Sequence, residues 1–143
     1  MSEAVDRRAD VLVVEDEIVI GMFLQEELQD AGYRVVVASS AREGRQQVRS
    51  HTSGFSAAVI DLGLPDERGD ALAIELAARQ PEIAIVIASA MQVDVCSDRR
   101  LRAERCRIVA KPYNSSEVVS ALEQCGVLGC TTRRILIGPT PPA

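Results

Sequence analysis

Five short apolar segments, each rich in Val and Ile, constrain the fold of this chain more than any other feature of its sequence. None of them alternates apolar with polar residues, so both faces of each predicted strand are expected to be covered. Strands of this kind are typical of a parallel sheet that lies between two layers of helices. The segments are VLVV (11–14), RVVVA (34–38), AAVI (57–60), IAIVIA (83–88) and RIVA (107–110).

The segments between the predicted strands have helical spacing. In the first, apolar residues recur along one stripe from Ile20 to Ala31, and Gly32 follows where a helix would end. The second segment, residues 41–48, has a weaker stripe, and the third, residues 72–77, ends before Pro81. Strands that alternate with helices predict an α/β sandwich with right-handed crossovers.

The last two helical segments differ in how strongly they are predicted. Residues 95–104 are polar and Arg-rich with little apolar face, so we expect the fourth helix to be the least firmly packed. The fifth helix begins at NSSE, where Asn114 can cap the first turn and Glu117 can reach back to it.

The 143 residues suit one domain, which we predict to span residues 1–126. Residues 127–143 lack a helical period and are predicted to form a short tail that is flexible or binds a partner. A net charge of −5 and few aromatic residues argue against binding of polyanions or stacking on nucleic-acid bases. No apolar run reaches the ~18 residues of a membrane span, and the N-terminus lacks a secretory signal, so we predict a cytoplasmic protein.

The four cysteines show no C-x-x-C spacing, and the only histidine is His51. This pattern does not favour a zinc site. We predict that the cysteines are reduced thiols that pack as small apolar side chains.

Polar side chains follow four of the five predicted strands. Glu15 and Asp16 follow the first strand, Asp61 the third, Ser89 the fourth and Lys111 the fifth. The carboxyl ends of parallel strands meet at one edge of the sheet, where such folds bind ligands. We therefore expect these five side chains to converge.

The predicted cluster has the chemistry of phosphoryl transfer. Three neighbouring carboxylates need a cation, and oxygen ligands favour a hard ion such as Mg²⁺. Lys111 supplies a positive charge and Ser89 a hydrogen-bond donor for a phosphoryl group. Asp61 is the predicted nucleophile because a carboxylate can form an acyl phosphate, and the small Gly63 leaves room for the phosphate.

Four motifs in this order resemble those of the response regulator receiver domains of two-component signalling. VLVVEDE resembles the acidic pair, DLGLPDERG the phosphorylation loop, SA the Ser/Thr-Ala switch motif, and KPY the Lys-Pro-aromatic motif. The resemblance covers roughly residues 9 to 125. It implies a doubly wound, five-stranded parallel sheet of order 2-1-3-4-5 with helices on both faces.

The resemblance also implies a role for each site residue. Glu15, Asp16, Asp61 and the backbone carbonyl of Gly63 would hold Mg²⁺. Asp61 would be the phosphoacceptor and would take a phosphoryl group from a histidine kinase or a phosphotransfer protein. Ser89 and Lys111 would bind that group and report its arrival.

The chain departs from the family pattern at one position of the switch. Receivers usually carry an aromatic residue three positions before the lysine, where this chain has Ile108, so we predict that Tyr113 carries part of the signal. The Arg-rich segment, with Arg99 and Arg102, lies on the face that receivers commonly use for output, and we expect it to contribute to protein binding. We predict an unidentified downstream protein as the partner, a possible homodimer through the last helices or the tail, and no direct contact with DNA or membrane.

Two other functions fit parts of the sequence. An Asp-nucleophile phosphatase of the haloacid dehalogenase type would need a second acid two residues after Asp61, but Gly63 stands there and no cap is evident. A receiver-like module that binds partners without phosphate would not need the acidic set and Lys111. We therefore predict a stand-alone signalling receiver rather than an enzyme.

Overall fold

The computed structural model describes residues 8–130 and contains one parallel sheet of five strands. The order across the sheet is β2-β1-β3-β4-β5, as the family resemblance implied. The strands are β1 (Asp10–Val14), β2 (Arg34–Ala38), β3 (Ala57–Asp61), β4 (Ala84–Ser89) and β5 (Cys106–Ala110). Strand β3 therefore lies at the centre between β1 and β4, and each predicted strand is confirmed within about one residue.

Four α-helices cover the two faces of the sheet: α1 (Ile18–Asp30), α2 (Ala41–Ser50), α3 (Gly69–Arg79) and α4 (Ser115–Gln124). Alternate residues of β1 explain why its run is continuously apolar. Val11 and Val13 pack with side chains of α1 and α4, whereas Leu12 and Val14 pack with those of α2 and α3. Each strand residue thus meets an apolar layer, and both layers are buried.

The prediction of a helix between β4 and β5 is wrong. Between β4 and β5 the chain forms only two short 3₁₀ turns, Val95–Ser97 and Ala103–Arg105. Only Val95 and Leu101 of residues 95–104 are buried, which is too small an apolar stripe to hold an α-helix against the sheet.

The prediction of reduced cysteines is wrong for two of the four residues. Cys96, in the first 3₁₀ turn, forms a disulfide with Cys106, the first residue of β5. The thiol of Cys125 is free and buried, as predicted, and that of Cys130 is free but exposed.

The predicted caps of the first and last helices are confirmed. Gly32 follows α1 with a φ of 100°, a left-handed conformation that glycine adopts without strain. At α4, Asn114 accepts a hydrogen bond from the Glu117 backbone, and the Glu117 side chain accepts one from the Asn114 backbone.

The first residues of the predicted tail pack against the domain. Tyr33 is fully buried and its hydroxyl donates to the carbonyl of Val127 at 2.7 Å, while the Cys130 amide donates to the carbonyl of Gly32 at 3.0 Å. The rest of the predicted tail, 131–143, lies outside the described residues. Within residues 8–130, no helix is long and apolar enough to span a membrane.

Candidate functional site

Three carboxylates lie together at the carboxyl edge of the sheet. The register pairs Val14 of β1 with Ile60 of β3, and this pairing brings the residues that follow them, Glu15 and Asp61, side by side. Carboxylate oxygens of Glu15, Asp16 and Asp61 all lie within 4.8 Å of one another. Glu15 and Asp61 are 2% and 6% exposed, whereas Asp16 is exposed to solvent. The cluster is therefore open on the Asp16 side.

Lys111 places its positively charged ammonium beside the acidic cluster, as the sequence predicted. Its Nζ lies 3.0 Å from Asp61 Oδ2 and 3.8 Å from Glu15 Oε1. The Lys111 backbone amide donates to the Ser89 carbonyl at 2.8 Å, which fixes the start of this loop at the sheet edge. Burial by itself lowers the pKa of Lys111, but the hydrogen bond to Asp61 and the charge of Glu15 give a net rise, so the ammonium stays charged.

Residues 62–69, named here the 62–69 loop, connect Asp61 to α3 and include the first residue of that helix, Gly69. The Gly63 amide donates to Asp61 Oδ1 at 3.0 Å, which orients the carboxylate. A Cβ at Gly63 would have one neighbour, Asp61 Oδ1 at 3.9 Å, so this side of the carboxylate is open. At Gly69, by contrast, a Cβ would lie 2.2 Å from the carbonyl oxygen of Asp61, and only glycine permits this close approach.

The Ser89 side chain does not bond to the acidic cluster. Its hydroxyl donates to the carbonyl of Met91 at 2.9 Å and accepts from the Met91 amide at 3.0 Å. Ser89 nevertheless lines the same cavity as Asp16, Asp61 and Lys111. Its hydroxyl is buried within reach of the site but is occupied by the loop that follows β4.

A comparison with known families identifies this arrangement. Residues 11–123 match the model of the response regulator receiver domain. The chain belongs to the response regulator receiver family.

Curated relatives and solved structures agree with this assignment. The receiver is 31% identical over 113 residues to the transcriptional regulatory protein PhoP of Escherichia coli O157:H7, and 30% identical to the virulence transcriptional regulatory protein PhoP of Salmonella typhimurium strain LT2. Each match covers 79% of this chain and 50% of the relative, so the chain spans about half the length of these relatives.

The solved structures that it resembles are receiver domains as well. The non-phosphorylated HemR receiver domain of Leptospira biflexa has a TM-score of 0.71 and 26% identity, over 87% of this chain and 98% of that one. The chemotaxis protein CheY4 of Vibrio cholerae has a TM-score of 0.69 and 23% identity, over 85% and 99%, and supports the fold alone.

Receiver domains bind Mg²⁺ at an acidic cluster, and the residues of this receiver fit that ion. Burial, followed by the charge of Asp61, raises the pKa of Glu15 to about 7, although the Glu17 amide and Lys111 oppose the rise. The Lys111 ammonium contacts two of the three carboxylates, Asp61 and Glu15, so negative charge exceeds positive charge within this cluster. Oxygen donors at this spacing suit a hard divalent cation.

The other predicted site residues lie outside the acidic cluster. Ile108 is partly exposed on β5 and lines a surface cavity with Met91. Arg99 and Arg102 are exposed on the segment between β4 and β5. Tyr113 is half-buried against the α1 and α4 face of the sheet, where burial and the nearby carboxylates of Glu15 and Asp61 raise the pKa of its hydroxyl.

Two contacts of the 62–69 loop escaped the sequence analysis. Asp66 accepts from the backbone amides of Ala41 at 3.1 Å and Arg42 at 3.0 Å, and so caps the first turn of α2. The Glu67 carboxylate pairs with Arg45 of α2 at 2.6 Å. These acids lie in a predicted turn, and nothing in the local pattern pointed to α2 as their partner.

Sequence analysis also missed an apolar patch at the start of α1. Ile18, Val19, Met22 and Phe23 are 71%, 79%, 62% and 50% exposed. The patch, named here the α1 patch, begins two residues after Asp16. Of its four residues, only Phe23 belongs to the apolar stripe that the sequence predicted, and spacing alone does not show how wide the covered face of the helix is.

Proposed function

We propose that this receiver accepts a phosphoryl group on Asp61. The observation that carries the proposal is the position of its carboxylate, with Oδ1 held by the Gly63 amide and Oδ2 3.0 Å from Lys111 Nζ, beside two further acids. A carboxylate oxygen of Asp61 would attack the phosphorus of a phosphohistidine. The phosphorus–nitrogen bond breaks as the phosphorus–oxygen bond forms, and the imidazole leaves.

The side chains around Asp61 would each serve that transfer. Glu15, Asp16, Asp61 and the Gly63 carbonyl would hold Mg²⁺, which when bound neutralises charge on the transferring phosphoryl oxygens. Lys111 would move its ammonium from Asp61 to a phosphoryl oxygen, a shift supported by its present 3.0 Å contact. Ser89 would leave Met91 and donate its hydroxyl to the phosphoryl group.

The switch of Ser89 would link chemistry to conformation. A phosphoryl group shifts the balance between two arrangements only through contacts that it makes better in one of them. The hydrogen bonds between Ser89 and Met91 would be exchanged for one to the phosphoryl group, and the loop after β4 would follow. This exchange supports a signalling role rather than an enzymatic one, as is general in the receiver family.

The phosphodonor would dock on the α1 patch. Histidine kinases are the phosphoryl source for receiver domains, and a phosphotransfer protein would serve equally. The donor histidine must come within bonding distance of Asp61, and the patch starts two residues after Asp16, beside the open side of the cluster. The four apolar side chains of this patch are exposed to water, and a docked partner would cover them. Burial of that apolar surface would favour the complex.

We extend the proposal to output and location. Ile108, Tyr113, Arg99 and Arg102 would contribute to binding of a downstream protein. A homodimer would form through the last helices or the tail, and neither DNA nor membrane would be contacted directly. A cytoplasmic location is part of the proposal, and the similarity to transcriptional regulatory proteins supports it.

Intact-mass spectrometry after incubation with acetyl phosphate and Mg²⁺ tests the proposal. The wild-type protein should gain the mass of one phosphate, and Asp61→Asn should gain none. Asp66→Asn is the matched control, because Asp66 lies in the same loop but outside the acidic cluster, and it should keep the gain. A phosphate gain that persists in Asp61→Asn would refute the assignment, and sustained turnover of a phosphate ester would favour an enzyme.

A further inference from the structure

The disulfide between Cys96 and Cys106 ties the segment between β4 and β5 to the sheet. The two Cα atoms are 5.5 Å apart, and the bond encloses the nine residues 97–105. Cys106 is buried at the start of β5, whereas Cys96 is only partly buried and sits in the first 3₁₀ turn. The covalent bond therefore joins a fixed strand to an irregular surface segment.

A small set of noncovalent contacts joins this segment to the rest of the domain: the buried side chains of Val95 and Leu101, a hydrogen bond from Arg105 Nη1 to the Cys125 carbonyl, and one from Arg107 Nη1 to the Ala103 carbonyl. Five of the six residues from 99 to 104 are exposed, and Leu101 alone is buried among them. The backbone hydrogen bonds that Ser97, Asp98, Leu101 and Arg105 donate all run to carbonyls three residues earlier, inside the segment itself. A segment with mainly local hydrogen bonds and little buried apolar area has low local stability. The disulfide adds a covalent attachment to these contacts.

The same segment begins at the loop that occupies Ser89. Met91 holds the Ser89 hydroxyl through two hydrogen bonds, and Cys96 follows five residues later in the chain. The Ser89 hydroxyl must leave both of these hydrogen bonds before it can donate to a phosphoryl group on Asp61, and movement of the loop with Met91 would break them. An anchor near the middle of the segment opposes such movement.

We propose that Cys96 and Cys106 form a reversible thiol–disulfide couple that regulates this receiver. The oxidised form holds the loop in the arrangement with Ser89 on Met91, and the reduced form releases the loop and favours the phosphorylated arrangement. The proposal rests on the function proposed above for Asp61 and Ser89. It adds a second input, the thiol redox state, that acts on the same switch.

The chemistry is thiol–disulfide exchange with a dithiol. A thiolate of the dithiol attacks Sγ of Cys96, the less buried of the two residues, and the Cys96–Cys106 bond breaks with Cys106 leaving as a thiolate. The second thiolate of the dithiol then attacks the mixed disulfide and releases Cys96. The receiver gains two electrons and two protons, and the dithiol becomes a disulfide. A disulfide oxidant reverses the exchange.

Beryllofluoride with Mg²⁺, which imitates an acyl phosphate, provides the test. We expect the fully reduced protein to bind it at least about five-fold more tightly than the oxidised protein, the lower end of typical coupling between sites. By reciprocity, saturating beryllofluoride should favour the reduced form by the same factor in a thiol–disulfide buffer. Cys96→Ser should bind like the reduced wild type in both conditions, and this variant spares the buried Cys106.

A matched control keeps the disulfide and removes the other thiols. Cys125→Ser with Cys130→Ser should retain the full redox response, since neither residue takes part in the bond. Equal beryllofluoride affinity of the oxidised and reduced proteins would overturn the inference, and if Asp61 still gains phosphate, the proposed function stands. Cysteines in a disulfide cannot be alkylated. If all four cysteines were alkylated in folded protein that had never been reduced, the Cys96–Cys106 bond would be absent and the inference would be overturned as well. If neither redox form gains phosphate on Asp61, both the function and this inference fail.

Discussion

The buried Glu15 should make the metal-free receiver less stable as the pH rises. The pKa of this carboxyl is raised from its ordinary value of 4.5 to about 7, first by burial and then by the charge of Asp61. The folded protein therefore holds the Glu15 proton more tightly than the unfolded chain does. The stability contributed by protonated Glu15 is fully present below pH 4.5 and is lost as the pH rises through 7.

The magnitude follows from the shift in the pKa. Each pKa unit corresponds to about 1.4 kcal/mol, so the whole effect is about 3 kcal/mol. Between pH 5 and pH 8, most of the titration takes place and about 2.5 kcal/mol of unfolding free energy should be lost. This loss is a large fraction of the ~5–15 kcal/mol that stabilises a typical domain.

Glu15→Gln removes the titration and keeps the shape of the side chain. Its amide oxygen can still accept the Glu17 backbone hydrogen bond, which spans 3.1 Å in the wild type. In EDTA, the variant should be about 3 kcal/mol more stable than the wild type at pH 8 and less than about 1 kcal/mol more stable at pH 5. Urea unfolding followed by far-UV circular dichroism measures both differences.

The exposed Glu82 provides the matched control, and Glu82→Gln should leave stability nearly unchanged at either pH. Saturating Mg²⁺ at pH 8 should stabilise the wild type more than Glu15→Gln, because the ion binds the carboxylates of the folded state. If Glu15→Gln raised the free energy of unfolding equally at pH 5 and pH 8, the reasoning would be refuted, since such a gain would not come from titration of Glu15.

Three other substitutions test the architecture around the site. Gly69→Ala should lower the unfolding free energy by about 3 kcal/mol, because the new Cβ would lie 2.2 Å from the Asp61 carbonyl oxygen. Lys111→Met should lower it by about 2 kcal/mol in EDTA at pH 8, since it leaves Asp61 without its cation 3.0 Å away, and Mg²⁺ should reduce the loss. Tyr33→Phe should cost about 1 kcal/mol, because it removes the 2.7 Å hydrogen bond to the Val127 carbonyl. Urea unfolding measures all three.

Each of these substitutions has a contrary outcome. Gly63 lies on the open side of Asp61, so Gly63→Ala meets no close steric contact there. If it lowered the unfolding free energy as much as Gly69→Ala does, steric contact would not be the cause. A Lys111→Met variant as stable as the wild type would show that the ion pair does not offset the burial of Asp61. If Tyr33→Phe left hydrogen exchange of the Cys130 amide unchanged, residues 127–130 would not depend on the Tyr33 contact.

Most of the fold could be predicted from the sequence, because the signals for strands and for helix ends are local. Short runs rich in Val and Ile favour a buried strand, and the capping box at Asn114 and Glu117 sets the start of α4 within four residues. Convergence of Glu15, Asp61 and Lys111 also followed from the sequence, since parallel strands deliver their carboxyl ends to one edge. The structure confirms each of these predictions.

The wrong predictions concern features that depend on contacts between residues distant in the sequence rather than on the local sequence pattern. Residues 95–104 contain helix-forming residues but too few apolar side chains to bind the sheet, so 3₁₀ turns replace the helix. Cysteine spacing indicated separate thiols, although Cys96 and Cys106 are ten residues apart and are brought together only when the segment returns to β5. The Asp66 cap on α2 likewise depends on how the 62–69 loop packs.

Residue order alone was therefore enough to predict which groups lie at the ends of four strands: three carboxylates, a hydroxyl and an ammonium. The contacts of those groups depend on packing: Lys111 pairs with Asp61, burial raises the pKa of Glu15 to about 7, and Met91 holds Ser89. Strand and helix patterns depend on neighbours in the chain, whereas a rotamer, a hydrogen-bond partner or a burial depth depends on residues that meet only after folding.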